Sequence, residues 1–95
     1  MEFEWDLDKD RENQRKHGLS FEEASALFIS GDDYLEIYDH AHSHQEERFI
    51  AIGMIIRGVI VVVWTERDED AVRIISARPA TIREVGAFQR YRDQS

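Results

Sequence analysis

The stretch RFIAIGMIIRGVIVVVWTER, residues 48–67, determines what the fold can be. Two runs rich in β-branched and aromatic residues flank a two-residue connection that ends in glycine, Arg57-Gly58. Such a connection is typical of a β-hairpin, so we predict strands over Arg48–Ile56 and Val59–Arg67. Residues 61–64 are all apolar, which predicts a central strand covered on both sides. We therefore expect this hairpin to form the middle of an antiparallel sheet.

Three helices are predicted around the hairpin. The nearly all-polar segment Asp8–His17 precedes Gly18, a residue that favours the left-handed conformation at the end of a helix. The segments 20–23 (SFEE) and 81–84 (TIRE) both have the capping-box pattern, in which the first and last side chains bond each other's backbone N–H. They predict the starts of a second helix and of a C-terminal helix.

Further strands are predicted at Phe3–Trp5, Tyr34–Tyr38 and Val72–Ala77, the last with Val72, Ile74 and Ser76 on one face. A polar loop is expected over 39–47. The element order is then β-α-α-β-β-β-β-α, an α+β fold with an antiparallel meander and its helices gathered on one side. A chain of 95 residues leaves room for a single domain, 1–95.

Composition excludes several classes of protein. The chain has no cysteine, which rules out disulfides and cysteine-ligated metals. Its apolar runs are shorter than the roughly 20 residues that span a bilayer, and the acidic N-terminus does not resemble a signal peptide. We therefore expect a cytoplasmic protein that does not enter a membrane. The net charge of −8, taken alone, speaks against a nucleic-acid binder.

The distribution of charge weakens that last argument. Residues 1–47 carry four basic and fourteen acidic side chains, a net of −10, whereas residues 48–95 carry eight arginines and six acids, a net of +2. Arginine stays charged and matches phosphate oxygens in pairs. The second half could therefore face an anion.

Four clusters could carry chemistry, and each also has a purely structural interpretation. Residues 65–67 (TER) lie where a buried strand leaves the core. Arg73 lies inside an apolar strand that Arg78 ends, and burial of Arg73 calls for a ligand or for an ion pair with Glu66 or Glu47. The others are residues 46–48 (EER), at a strand start, and 16–18 (KHG), where cations favour the end of a helix.

His40, His42 and His44 alternate in the predicted loop. If this segment were extended, the three imidazoles would share one face and could hold zinc or nickel. The alternative is a polar loop that happens to contain histidine. No further metal-binding motif supports the metal site.

The order of motifs along residues 3–84 resembles the BrnT family, the toxin half of a bacterial type II toxin–antitoxin pair. The resemblance is carried by Glu4-Trp5-Asp6, Lys9, Asn13, the run Lys16–Ala24 (KHGLSFEEA), His42-Ser43, Glu46-Glu47-Arg48, Ile52-Gly53, Thr65-Glu66-Arg67 and the run Arg73–Arg78 (RIISAR).

The resemblance implies a RelE-like fold and a ribonuclease that needs neither metal nor cofactor. It also implies a cognate antitoxin, BrnA, a ribbon-helix-helix DNA binder, so that DNA would be contacted only through the complex. A homodimer or a heterotetramer with the antitoxin is possible.

Cleavage through the RNA 2′-hydroxyl needs three kinds of group. His17 or Glu47 could be the base, and His17 or Tyr91 could be the acid. Arg48, Arg67 and Arg78 could stabilise the phosphorane. Substrate binding is assigned to Lys16, Thr65, Glu66 and Arg73.

Two departures from the family pattern favour a second interpretation. Residues 31–33 (GDD) stand where members usually have Asp-Pro, and the C-terminal segment 82–88 is less basic than is common. The alternative is a degenerate toxin that no longer cleaves RNA and serves as an antitoxin-binding or regulatory module.

Overall fold

The computed structural model describes residues 1–94, and their element order is the predicted one. None of the helices is long and apolar enough to cross a membrane. The elements are β1 (Glu2–Glu4), α1 (Leu7–His17), α2 (Phe21–Ile29), β2 (Leu35–Tyr38), a short 3-10 turn (His40–His42), β3 (Phe49–Ile55), β4 (Gly58–Glu66), β5 (Ala71–Pro79) and α3 (Ile82–Asp93).

The five strands form one sheet in the order β1-β5-β4-β3-β2. Strands β2 to β5 make the predicted antiparallel meander, with β4 in the middle. The hairpin turn is Ile56-Arg57, one residue earlier than predicted, because Gly58 already pairs with Ile55. β1 pairs with β5 in parallel, which the sequence did not indicate.

The helices lie on both faces of the sheet, so the prediction that they gather on one side is wrong. α1 and α2 cover one face, where Phe21, Ala24 and Leu27 pack against Val62 and Trp64. α3 covers part of the other face, where Phe88 packs against Ile52 and Val61. β4 is therefore buried from both sides along its middle, as its uninterrupted apolar run predicted.

The prediction for the faces of β5 is also wrong, because the strand contains a β-bulge. Val63 pairs with Ser76 but Trp64 pairs with Ile74, so one extra residue of β5 lies between them. An extra residue reverses the alternation of side chains. Ala77 consequently joins Val72 and Ile74 in the core, and Ser76 lies on the opposite face.

Capping groups fix where the helices begin and end. Both predicted capping boxes are present, at Ser20 and Glu23 for α2 and at Thr81 and Glu84 for α3. Gly18 ends α1 with φ of 65°, a value that glycine adopts without strain. The side chain of Asp10, on α1, accepts a hydrogen bond from the N–H of Phe21 at 2.9 Å and so joins the first two helices.

Candidate functional site

The sheet has two ends, and the predicted site residues divide between them. The hairpin end carries the turn Ile56-Arg57. The loop end carries the β2–β3 loop (39–48) and the β4–β5 turn (67–70). Gly58 begins β4 and Thr65 lies one residue before its end. The seven steps along the strand between them span roughly 23 Å. One nucleotide linkage cannot touch both ends at once.

A cleft of about 390 Å³ opens at the loop end. It brings together four of the predicted residues, Glu47, Thr65, Glu66 and Arg67. The full lining is Glu46, Glu47, Phe49, Thr65, Glu66, Arg67, Asp68 and Glu69. Because the last residues of β4 and the residue before β3 are neighbours in the sheet, segments distant in sequence meet here.

The two arginines of this end share one carboxylate. Glu4 Oε1 lies 3.1 Å from Arg67 Nε and 3.2 Å from Arg73 Nη1. Backbone hydrogen bonds lower the pKa of the Asp6 carboxyl, and Arg73 is close enough for its charge to add a smaller lowering. The side chains of Glu4, Arg67 and Arg73 are partly open to solvent, so both guanidinium groups are accessible to an anion.

The partner of Arg73 is therefore Glu4, and not Glu66 or Glu47 as the sequence suggested. The parallel pairing of β1 with β5 places Glu4 directly beside Arg73. The alternation of Phe3 and Trp5 assigned Glu4 to the other face of β1. It carried no information about which strand β1 would join, and for that reason Glu4 was missed.

Thr65 links the end of β4 to the chain before β3 by a buried hydrogen bond. Its side chain is buried, and its hydroxyl donates a hydrogen bond to the backbone carbonyl of Glu47 at 2.5 Å. This bond fixes the chain just before β3 against the end of β4. Thr65 therefore sets the position of Glu47, whose side chain is exposed at the cleft.

Arg48 lines a recess that shares Glu46 with this cleft. Its Nη2 is 3.8 Å from Glu46, a long ion pair at the surface. Its Nε is buried and has no hydrogen-bond partner among the described residues. An unpaired buried donor of a charged group is costly. The Arg48 side chain is 33% exposed, so a ligand could reach the exposed part of the guanidinium but not this Nε.

Lys16 and His17 lie at the other end of the sheet. They form the last turn of α1, where Arg57 of the hairpin donates hydrogen bonds to the Gly18 carbonyl and to Glu23. Lys16 lies 3.6 Å from Glu12 on its own helix. The structure does not bring Lys16 or His17 to the cleft.

Arg78 is held in an ion pair that caps α3. Its two terminal nitrogens each lie 2.7 Å from the carboxylate of Glu84, which also accepts the N–H of Thr81. The hydrogen bonds from Arg78, with a smaller contribution from the Thr81 N–H, lower the pKa of Glu84 to about 2 against the opposing effect of burial. An Arg78→Ala variant would therefore disturb α3 in addition to any effect on RNA.

Tyr91 is half-buried on the last turn of α3, the helix that packs on the hairpin half of the sheet. It lies close enough to Tyr34 to affect it: burial first, then Glu36 and Tyr91, raise the pKa of the Tyr34 phenol. Tyr91 therefore lies near Tyr34, and it does not line the cleft that contains Glu47.

The histidine run is not extended. His40–His42 forms a 3-10 turn, so the shared face on which the metal interpretation depended is not formed. Among residues 1–94 no three His, Asp or Glu side chains are placed to hold a metal ion.

A five-stranded, mostly antiparallel sheet with two helices on one face and one on the other, and with arginines and carboxylates at one end, defines an α+β domain. A family model described as "Ribonuclease toxin, BrnT, of type II toxin-antitoxin system" matches residues 5–84. The chain therefore belongs to the BrnT family of ribonuclease toxins.

A solved relative supports this membership. The 1.1 Å crystal structure of the Brucella abortus ribonuclease toxin BrnT is 29% identical to the chain, with a TM-score of 0.67. The match covers 85% of this chain and 97% of the Brucella chain. Among curated protein sequences, none matches.

Proposed function

We propose that the protein is a metal-independent endoribonuclease toxin that cleaves RNA at the loop-end cleft and so inhibits translation in the cytoplasm. One observation carries the proposal: Glu47 and Arg67 line the same cleft, and Arg67 is paired through Glu4 with a second arginine, Arg73. A carboxylate base close to guanidinium groups is the combination that attack by a 2′-hydroxyl on phosphate requires.

In this mechanism Glu47 takes the proton of the RNA 2′-hydroxyl while the 2′-oxygen attacks phosphorus. Arg67 and Arg48 stabilise the charge of the phosphorane, and Arg73 supports Arg67 through Glu4. Thr65 positions Glu47 through its backbone, and Glu66 borders the nucleotide. The products are a 2′,3′-cyclic phosphate and a 5′-hydroxyl.

We propose different roles for the predicted residues of the hairpin end. Lys16 and His17 bind the RNA backbone away from the cleaved bond. Arg78 and Tyr91 keep α3 in place, Arg78 through its ion pair with Glu84. A distance of roughly 23 Å along β4 is the reason for separating them from the chemistry.

The test is cleavage of single-stranded RNA by purified protein in EDTA, with identification of the product ends. Glu47→Ala and Arg67→Ala should each lower the cleavage rate by roughly 10²–10³-fold. Glu22→Ala and Arg83→Ala are matched controls, because both residues are exposed and remote from the cleft, and they should cleave normally. Loss of cleavage in EDTA, or full activity of both cleft variants, contradicts the proposal.

The protein partner is proposed to be a BrnA-like antitoxin. Type II membership implies a protein antitoxin. The net of −10 over residues 1–47 supports a partner with a basic surface. Growth arrest on expression of this chain, reversed by a small basic reading frame from the same operon, is the expected result. DNA binding by the complex but not by the toxin alone would agree with a ribbon-helix-helix partner.

A second candidate function is a non-catalytic, antitoxin-binding module. Its support is the charge of the cleft, where Glu46, Glu47, Glu66, Asp68 and Glu69 surround the single cation Arg67. Antitoxin binding together with complete absence of RNA cleavage would select this alternative.

A further inference from the structure

The proposed site contains a base and cations, but the two acids suggested by the sequence, His17 and Tyr91, lie toward the hairpin end. Departure of the 5′-oxygen needs a proton donor. The loop between β2 and β3 places a different histidine beside the cleft. This inference rests on the proposed ribonuclease function.

That loop is closed on itself by four hydrogen bonds around Asp39. The N–H of Asp39 donates to the carbonyl of Arg48 at 2.9 Å, and the carbonyl of Asp39 accepts the Ser43 hydroxyl at 2.6 Å. The Ser43 hydroxyl oxygen accepts the N–H of Arg48 at 3.0 Å, and the N–H of His42 reaches Asp39 O at 3.3 Å. Backbone and side chain together fix the loop to the start of β3.

Within this loop a carboxylate orients an imidazole. His42 Nδ1 lies 3.0 and 3.2 Å from the two carboxylate oxygens of Asp39. The Asp39 side chain is only 13% exposed, whereas that of His42 is 69% exposed. A carboxylate on Nδ1 orients the ring and directs Nε2 outward, as in other acid–base histidines.

The open side of His42 faces a recess of about 270 Å³ that adjoins the proposed site. The recess is lined by His42, His44, Gln45, Glu46 and Arg48. Glu46 also lines the cleft that holds Glu47 and Arg67, so the two depressions share a wall. Arg48 lines the recess beside Glu46, and its buried Nε has no hydrogen-bond partner among residues 1–94.

We infer that His42 is the general acid of RNA cleavage and that Asp39 is its positioning residue. As the 2′-oxygen forms its bond to phosphorus, the bond from phosphorus to the 5′-oxygen breaks. Protonated His42 gives its Nε2 proton to that oxygen, while Glu47 holds the proton removed from the 2′-hydroxyl. Exchange with water then restores both groups.

The experiment compares two substrates. One is an RNA oligonucleotide, and the other is the same RNA with sulfur in place of the 5′-bridging oxygen at the mapped cleavage site. A thiolate leaves without protonation, so it needs no general acid. His42→Ala and His42→Gln should lose roughly 10²–10⁴-fold in rate on ordinary RNA but less than about tenfold on the sulfur-containing RNA. Asp39→Asn should lose less than His42→Ala and show the same difference between substrates.

His40→Ala is the matched control, since His40 is an exposed histidine of the same loop that does not line the recess, and it should resemble wild type. Glu47→Ala should be slow on both substrates. Full activity of both His42 variants on ordinary RNA overturns the inference and leaves the ribonuclease proposal intact, as does an equal loss on both substrates. If wild-type protein cleaves neither RNA, the ribonuclease proposal fails, and the assignment of His42 fails with it.

Discussion

Asn13 is the only residue of α1 whose side chain is buried. It forms hydrogen bonds with the backbone of β5 that a neighbouring strand would otherwise form. β1 pairs with β5 only along residues 71–73, so the outer edge of β5 has no neighbouring strand beyond that point. The Asn13 amide donates to the Ala77 carbonyl at 2.7 Å and to the Leu19 carbonyl at 2.8 Å, and its oxygen accepts the Ala77 N–H at 3.2 Å. A helix with almost no apolar stripe is thereby fixed to the sheet.

Replacing Asn13 by alanine should lower the free energy of unfolding by about 2–3 kcal/mol, because three buried backbone groups lose their partners. Gln14→Ala, an exposed change on the same helix, should alter it by less than about 0.5 kcal/mol. Urea unfolding followed by circular dichroism measures both values. Equal stability of the two variants would mean that other groups hold α1 on the sheet.

At the scale of elements, α3 depends on the group formed by Thr81, Glu84 and Arg78. The carboxylate of Glu84 receives the capping N–H and both nitrogens of Arg78, and its pKa in the folded protein is about 2. The ordinary glutamate pKa of 4.5 applies once the chain unfolds. The folded state therefore binds fewer protons between these two pH values.

Stability should consequently fall as the pH drops from about 4.5 toward 2, and the contribution of Glu84 should be fully present above pH 4.5. Glu84→Gln should cost about 1–2 kcal/mol at pH 7, a range reduced for solvent screening, and much less near pH 2. Melting temperatures of both proteins between pH 2 and 7 provide the measurement. If the melting temperatures of the two proteins differ by the same amount throughout this pH range, Glu84 is not the group responsible for the loss of stability in acid.

Two glycines allow the packing of helices to be tested. A Cβ on Gly53 would lie 2.9 Å from Tyr34 Cβ and 3.1 Å from Leu27, since α2 approaches β3 closely there. Gly53→Ala should destabilise the protein by about 1–3 kcal/mol. On α3 a Cβ at Gly86 meets only the mobile head group of Arg90, at 3.3 Å. Gly86→Ala should therefore stabilise by about 0.5–1 kcal/mol. Urea unfolding of both variants measures these changes. The two changes in the free energy of unfolding are expected to have opposite signs.

The sequence predicted the elements well where local chemistry determines them. Ser20 with Glu23 and Thr81 with Glu84 mark helix starts because their hydrogen bonds lie within one turn. The sequence could not predict contacts between distant segments. Examples are Glu4 beside Arg73 and the placement of α3 on the opposite face. The His42–Asp39 pair is local, but it depends on a turn too short to leave a periodic pattern.

For the molecule as a whole, the net charge of −8 opposes the approach of RNA, and the cleft itself has more acids than bases. Asp68 and Glu69 are exposed at its rim in the β4–β5 turn. They have no proposed part in the chemistry, so their charge should only repel the substrate.

The double variant Asp68→Asn, Glu69→Gln should raise kcat/KM for RNA by a few fold at low salt, and the gain should shrink as salt screens the charges. Asp8→Asn with Glu22→Gln gives the same change in net charge on the helical face and should have little effect. An equal gain in both double variants would attribute the effect to total charge, and no gain in either would argue against RNA at this cleft.

The bulge in β5 has a consequence for the distribution of charge on the sheet. Arg73 and Arg78 are five positions apart, an odd number, and in a regular strand they would point to opposite sides. Their partners on β4, Thr65 and Val61, are four positions apart, so both arginines project from the same side. The bulge thus places both arginines on the same face of the sheet. A β5 of the same length without the bulge would turn Arg78 toward the layer of α1 and α2, whereas deletion of the extra residue would make the strand regular and leave both arginines on one face.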